Sequence, residues 1–314
     1  MTLSRPRPAL QYAPVEGHLN LARVVLGDAA AHPRTADRPA LTFIDGRGDP
    51  TWTYRELWDW VSAIGRGLLA SGLTPGERVL VRLAHSPAYA AAFFGAVAAG
   101  LVPIPASPLL TESEARFLAD DSEAAAVVTS PELRVGGFRG LEIFSDRLAA
   151  LDGPGPLPDT RAEEPAYLIY TSGTGARPKG VLHAHRSILG RLFMLEAWEG
   201  FGPGDRTLHA GTLNWSYTLG VGLMDPWLVG AHAMLFGGSR DPAAWPAIIA
   251  ERRISVFAAV PTVFRQILKY GRPEAADLSL LRHGLCAGEP LHPAILQEWR
   301  QRAGTDLYEA LGMT

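Results

Sequence analysis

Residues 171–180 read Thr-Ser-Gly-Thr-Gly-Ala-Arg-Pro-Lys-Gly, a run whose residue types are suited to holding an anion. Gly173 and Gly175 let the backbone turn tightly and aim several N–H groups at one point. The hydroxyls of Thr171, Ser172 and Thr174 add donors, and Lys179 adds a positive charge on a flexible stem. Together these groups could cradle a polyphosphate. The run is not a Walker A loop, because Pro178 stands where that motif needs its second glycine and Gly180 where it needs Ser or Thr. The same composition also suits an ordinary glycine-rich surface turn between a strand and a helix.

Three further groups could carry chemistry. Gly288-Glu289-Pro290 follows the apparent strand Leu281 to Ala287 and precedes a helical pattern. Open α/β sheets hold ligands at such strand ends, beside helix N-termini. A plain turn with Glu289 placed to suit the helix dipole would read the same way. Asn214-Trp215-Ser216-Tyr217, followed by Gly220 and Gly222, could wall a slot for a ring or an acyl chain. Alternatively, Trp215 and Tyr217 are core aromatics. His183 and His185 would share a face on an extended segment, but no third ligand lies near them in sequence, so a polar lid is the better reading than a metal site. Cys286, the only cysteine, sits in an apolar run and reads as a small buried side chain. Its solitude excludes an intrachain disulfide and a cysteine-rich metal site, and a reducing, cytoplasmic setting fits.

These groups need elements to position them. Ala166 to Tyr170 reads as a buried strand leading into the glycine-rich loop. Upstream, the pattern predicts a helix over Leu19 to Ala31 and a strand over Ala40 to Ile44. A helix capped by the box Thr53-Tyr54-Arg55-Glu56 follows, then strands over Arg78 to Leu83 and Ala125 to Thr129 around an acidic helix from Glu112 to Asp120. Downstream, strands over Arg206 to Ala210, Ala231 to Phe236, Ile254 to Val260, Leu281 to Ala287 and Asp306 to Leu311 alternate with helices. This alternation predicts an α/β protein with mostly parallel sheets covered by helices. The Pro- and Gly-rich stretch 151–165 reads as a linker, dividing a first α/β subdomain, 1–160, from a second, 161–314, that carries the candidate site.

At 314 residues, with 47% hydrophobic and 19% charged side chains, the chain has the make-up of a globular protein with a sizeable core. A net charge of −3 gives no electrostatic case for a nucleic-acid partner. Ser86 to Thr111 holds no charged residue and is long enough to raise a membrane span, which needs about 20 apolar residues. Gly100, Pro103, Pro105 and Pro108 interrupt it, so a buried helix, Ala88 to Ala99, feeding a strand, Leu101 to Pro105, is predicted instead. Met1 to Gly17 has no apolar core of a secretory signal.

The run Tyr170 to Gly180 resembles the phosphate-loop signature of the adenylate-forming superfamily, which includes acyl- and aryl-CoA synthetases. It matches at Tyr170 to Thr174 and at Pro178 to Gly180. It departs at Gly175, where a hydroxyl is usual, and at Ala176, where glycine is usual. Ala287-Gly288-Glu289-Pro290 resembles the superfamily's second nucleotide motif, and Leu311-Gly312-Met313-Thr314 the start of its third. His85-Ser86-Pro87, Phe93 to Ala96, Val260 to Phe264 and Leu291 are similar to the acyl-CoA synthetase and benzoate-CoA ligase branch. The resemblance implies the layered αβαβα large domain of these enzymes and an ATP-dependent acid–CoA ligase using ATP, Mg²⁺ and CoA. Thr171, Ser172, Gly173, Thr174, Gly175 and Lys179 would hold phosphates. Gly288, Glu289 and Pro290 would lie along adenine, Leu311, Gly312 and Met313 beside it, and Thr314 would reach the α-phosphate. Lys179 and Thr314 would be the catalytic pair present, and Trp215 with Tyr217 would bound the carboxylic-acid site. The family's small C-terminal domain would lie beyond Thr314. That leaves a second reading, a catalytically silent nucleotide- or acyl-binding fragment; a P-loop kinase is disfavoured by the absent Gly-Lys-Ser/Thr.

Overall fold

The computed structural model describes residues 17–171, 177–239, 241–312 and 314. Its strands are β1 (Pro39–Ile44), β2 (Thr51–Thr53), β3 (Arg78–Arg82), β4 (Val102–Pro105), β5 (Ala126–Thr129), β6 (Leu141–Phe144), β7 (Pro165–Thr171), β8 (Lys179–Ala184), β9 (Arg206–His209), β10 (His232–Phe236), β11 (Val256–Ala259), β12 (His283–Ala287) and β13 (Asp306–Ala310). A seven-stranded sheet runs in the order β13-β12-β11-β9-β10-β1-β2, and a four-stranded sheet in the order β4-β3-β5-β6. Every described pairing in these two sheets is parallel except β1 with β2. The larger sheet joins strands from both sides of residue 160, because β1 pairs with β10 in the register Leu41–Ala233 to Ile44–Phe236.

Fully buried strands such as β4 and β11 are short and apolar throughout, as parallel strands covered on both faces must be. Helix Tyr54–Ala70 starts at the expected capping box: the Thr53 hydroxyl accepts from the Glu56 N–H, and the Glu56 carboxylate accepts from the Thr53 N–H. It packs on helix Pro87–Ala98, which is apolar all round and almost wholly buried. Glycines set the spacing here: a Cβ on Gly65 would come within 2.8 Å of the Gly95 carbonyl oxygen. The uncharged stretch is therefore this helix followed by buried β4. Among the described residues no helix is long and apolar enough to cross a membrane.

The glycine-rich loop was expected between a strand and a helix, and here the structure differs. β7 pairs antiparallel with β8, Tyr170 facing Gly180 and Thr171 facing Lys179, so the loop closes a two-stranded hairpin. Lys179 to Ala184 mixes polar and apolar residues on a half-exposed strand, a weak pattern beside the strong helical signal that follows it. Strands β2 and β6, at sheet edges, were also not expected; neither carries a run of buried residues. Among the described residues, three helical stretches contain a π-helical turn, at Arg23–Gly27, Leu195–Glu199 and Gly220–Met224.

Candidate functional site

A cleft of about 700 Å³ opens between the β7–β8 hairpin, the C-terminal ends of β12 and β13, and the helical stretches that begin at Ser187 and Ser216. Parallel strands end here with their carbonyls outward and their loops free to diverge, which is where such sheets hold ligands. Both helical stretches carry a π-turn at the cleft, an insertion that often marks functional sites.

Seven of the residues expected to hold nucleotide or acid meet in this cleft: Thr171, Trp215, Tyr217, Gly288, Leu311, Gly312 and Thr314. They come from four segments of the chain. The Tyr217 phenol donates to the Leu285 carbonyl at 3.1 Å, which ties the helix at 216 to β12. Its ring meets His209 edge-on at 4.4 Å. The Ser216 and Thr314 hydroxyls lie 3.0 Å apart, joining the same helix start to the end of the chain. Gly288 follows β12 with φ at +97°, a left-handed conformation that a side chain would strain, so the turn out of the strand depends on glycine. Trp215 is 52% exposed and Leu311 97% exposed, so both present bare apolar surface at the site.

Of the other residues expected to hold nucleotide, the described ones, Lys179, Glu289 and Pro290, do not line the cleft. Lys179 opens β8 on the exposed side of the hairpin and is not a wall of the cleft, although its carbonyl accepts from the Thr171 hydroxyl at 3.4 Å. Glu289 accepts from the Thr262 hydroxyl at 2.8 Å, and neither it nor Pro290 lines the cleft. Ser172, Gly173, Thr174, Gly175 and Met313 lie outside the described residues. His183 stands in the cleft wall with its ring stacked on Tyr167 at 4.5 Å, whereas His185 is buried and accepts the Leu21 N–H at Nδ1. Cys286 is fully buried in β12, and burial pushes its thiol up to about 12.

The structure adds wall residues that sequence reasoning missed: Tyr167, Arg191, Met194 and Trp198. The last three recur at i, i+3 and i+7 on one helical stretch, a periodicity that could have revealed a shared face. Arg191 is held by Asp225, which is fully buried: its Nε donates to one carboxylate oxygen at 2.6 Å and its Nη2 to the other. Gly220 makes this possible, since a Cβ there would overlap the guanidinium. Buried Glu199 lies beside the pair; burial, reinforced by the Asp225 charge, pushes its carboxyl up to about 10, so it is neutral at pH 7. Burial and the nearby Arg191 charge hold the His183 imidazole below its ordinary range. Among the described residues no three His, Cys, Asp or Glu side chains converge to hold a metal ion.

Residues 28–314 match the family model described as AMP-binding enzyme. The chain belongs to the AMP-binding enzyme family. Among its relatives is a 3-hydroxybenzoate–CoA ligase of Aromatoleum sp. (strain CIB), 28% identical over 94% of this chain and 59% of the relative. A benzoate–CoA ligase of Thauera aromatica is 32% identical over 87% of this chain and 55% of that protein. Among solved structures, a benzoate CoA ligase from Burkholderia xenovorans LB400 superposes with a TM-score of 0.83 at 26% identity, covering 93% of this chain and 60% of that one. The chain thus spans less than two thirds of the length of these relatives. The layered α/β architecture is that of the N-terminal domain of adenylate-forming enzymes.

Proposed function

We propose that the chain is the nucleotide- and acid-binding part of an ATP-dependent acid–CoA ligase, activating a carboxylic acid as its acyl-adenylate. One observation carries this reading: Thr171, Gly288, Leu311, Gly312 and Thr314, which belong to stretches resembling the three nucleotide motifs of the family, converge on one cleft that Trp215 and Tyr217 also wall. In the proposed reaction a substrate carboxylate oxygen attacks the α-phosphorus of ATP and pyrophosphate leaves. A CoA thiol then attacks the acyl carbon, and AMP departs. The first step calls mostly for alignment and for neutralising phosphate charge. The hairpin loop, with Lys179, would hold the β- and γ-phosphates; Thr314 would face the α-phosphate, and Gly288 with Leu311 would flank adenine. Mg²⁺ would travel with the triphosphate, as it usually does, because no described carboxylate cluster could retain it alone.

The aromatic-rich wall of Tyr167, Trp198, Trp215 and Tyr217 supports a flat acid, and the benzoate and 3-hydroxybenzoate ligases among the relatives support the same class. A cytoplasmic setting fits the single reduced thiol.

Calorimetry of MgATP binding to the chain, with Lys179→Ala and Ser172→Ala as controls, tests the assignment. Binding that weakens at least tenfold in both variants is the expected result. A folded wild-type chain with no affinity at millimolar nucleotide would overturn it.

A further inference from the structure

The inner wall of the cleft contains a cation whose charge is already matched. Arg191 spends Nε and Nη2 on Asp225. No described residue makes a hydrogen bond to its Nη1, and 21% of the side chain remains exposed on a residue that lines the cleft. The bidentate pair fixes the guanidinium plane, so the remaining N–H groups are held rather than mobile. Gly220 clears the path of this side chain and Asp225 anchors it from a fully buried position, so the arrangement is built into the helix packing.

Resting on the acid–CoA ligase reading above, the geometry points to Arg191 as a specificity-determining residue that selects a carboxylic acid bearing a neutral hydrogen-bond acceptor, a hydroxyl or carbonyl oxygen, on an aromatic ring. The aromatic neighbours Tyr167, Trp198 and Tyr217 supply the ring-shaped walls. Charge bookkeeping selects against a second carboxylate. Arg191 already faces one ionised acid, Asp225, with the neutral carboxyl of Glu199 beside it. A substrate carboxylate would be a further anion drawn to a cation that is already neutralised. A neutral oxygen accepts the fixed N–H without that cost, whereas an unsubstituted ring leaves the donor covered and unpaired.

The test compares the affinity of the chain for four stable acyl-adenylate mimics, measured by calorimetry. These are benzoyl-sulfamoyl adenosine and its 3-hydroxy, 4-hydroxy and 3-carboxy derivatives. One hydroxylated mimic should bind roughly tenfold or more tighter than the benzoyl mimic, and the carboxylated one most weakly. In Arg191→Leu/Asp225→Leu, which removes both charges together and so leaves neither stranded, that preference should fall towards one. A thermal melt confirms that this variant folds. If the benzoyl mimic binds but no hydroxyl preference appears, or if the carboxylated mimic binds tightest, the assignment of Arg191 is wrong while the ligase reading stands. A preference that survives in the double variant also overturns it. If none of the four mimics binds, the ligase reading itself falls, and this inference with it.

Discussion

Two helix–helix seams in this protein use the same device for opposite ends. Between helices Tyr54–Ala70 and Pro87–Ala98, Gly65 and Gly95 bring backbones close, and what fills the seam is apolar: Val61, Ile64 and Leu68 against a helix of Ala and Phe. Between the stretches beginning at Ser187 and Ser216, Gly220 also removes a Cβ, but what enters the space is a guanidinium bound to a buried carboxylate. The first seam contributes no residue to the cleft lining and gains stability from close packing. The second forms the cleft wall, and ionic groups there trade stability for directed hydrogen bonds. Glycine at a helix interface thus says that something comes close, and only the neighbours say whether it is scaffold or site.

Breaking the ionic seam on one side should show the largest effect. Asp225→Ala strands the Arg191 charge and is expected to destabilise by about 3–5 kcal/mol, read from urea midpoints. Arg191→Leu/Asp225→Leu should recover most of that loss. If the double variant is as unstable as the single one, the pair is a structural keystone and the contrast with the apolar seam disappears.

Acid should weaken the protein through its buried imidazoles. His185 is held neutral by burial, its pKa lowered to about 4, and His232, which bonds the Thr42 hydroxyl, is lowered to a similar value. An unfolded histidine takes up its proton near pH 6.5 while the folded one resists, so stability is lost as pH falls from about 6.5 towards 4. Each group contributes on the order of 3 kcal/mol to that loss. Denaturation at pH 7.5 and pH 5 should show it, and His185→Gln should shrink the difference. An unchanged difference would move the effect to other groups.

Overpacking the apolar seam comes next. Gly95→Ala places a methyl 2.7 Å from Ile64 Cγ2 and should cost about 1–3 kcal/mol while leaving MgATP affinity unchanged. The smallest effect is expected from Thr53→Ala, which removes the cap of helix Tyr54–Ala70 and should lower stability by about 1 kcal/mol. A change in nucleotide affinity in either variant would mean that the apolar seam is not scaffold alone.

The sequence made the strongly periodic elements legible. The acidic helix that begins at Glu112, the capping box at Thr53 and the buried strands of both sheets follow from local pattern. Strands β2, β6 and β8 did not, because they are held by their neighbours more than by their own apolar content. The cleft was legible where motif residues sit at strand ends, as at Thr171 and Gly288. Its inner wall was not, because Arg191 reads as one more surface cation until the fold brings Asp225 to it from the next helical stretch, and no local pattern foretells that partner.

The position of β1 has a consequence for how the molecule is made. This strand leaves the ribosome early, yet the strand it lies parallel to, β10, follows only after the whole four-stranded sheet and the hairpin have been synthesised. Until then β1 can pair only with short β2, leaving its other edge open. Such distant pairing slows folding and leaves sticky strand edges exposed during synthesis. The four-stranded sheet, closed from β3 to β6 within one stretch of chain, can form first and shelter its neighbour. The four-stranded sheet is thus expected to close before the seven-stranded sheet that supports the cleft.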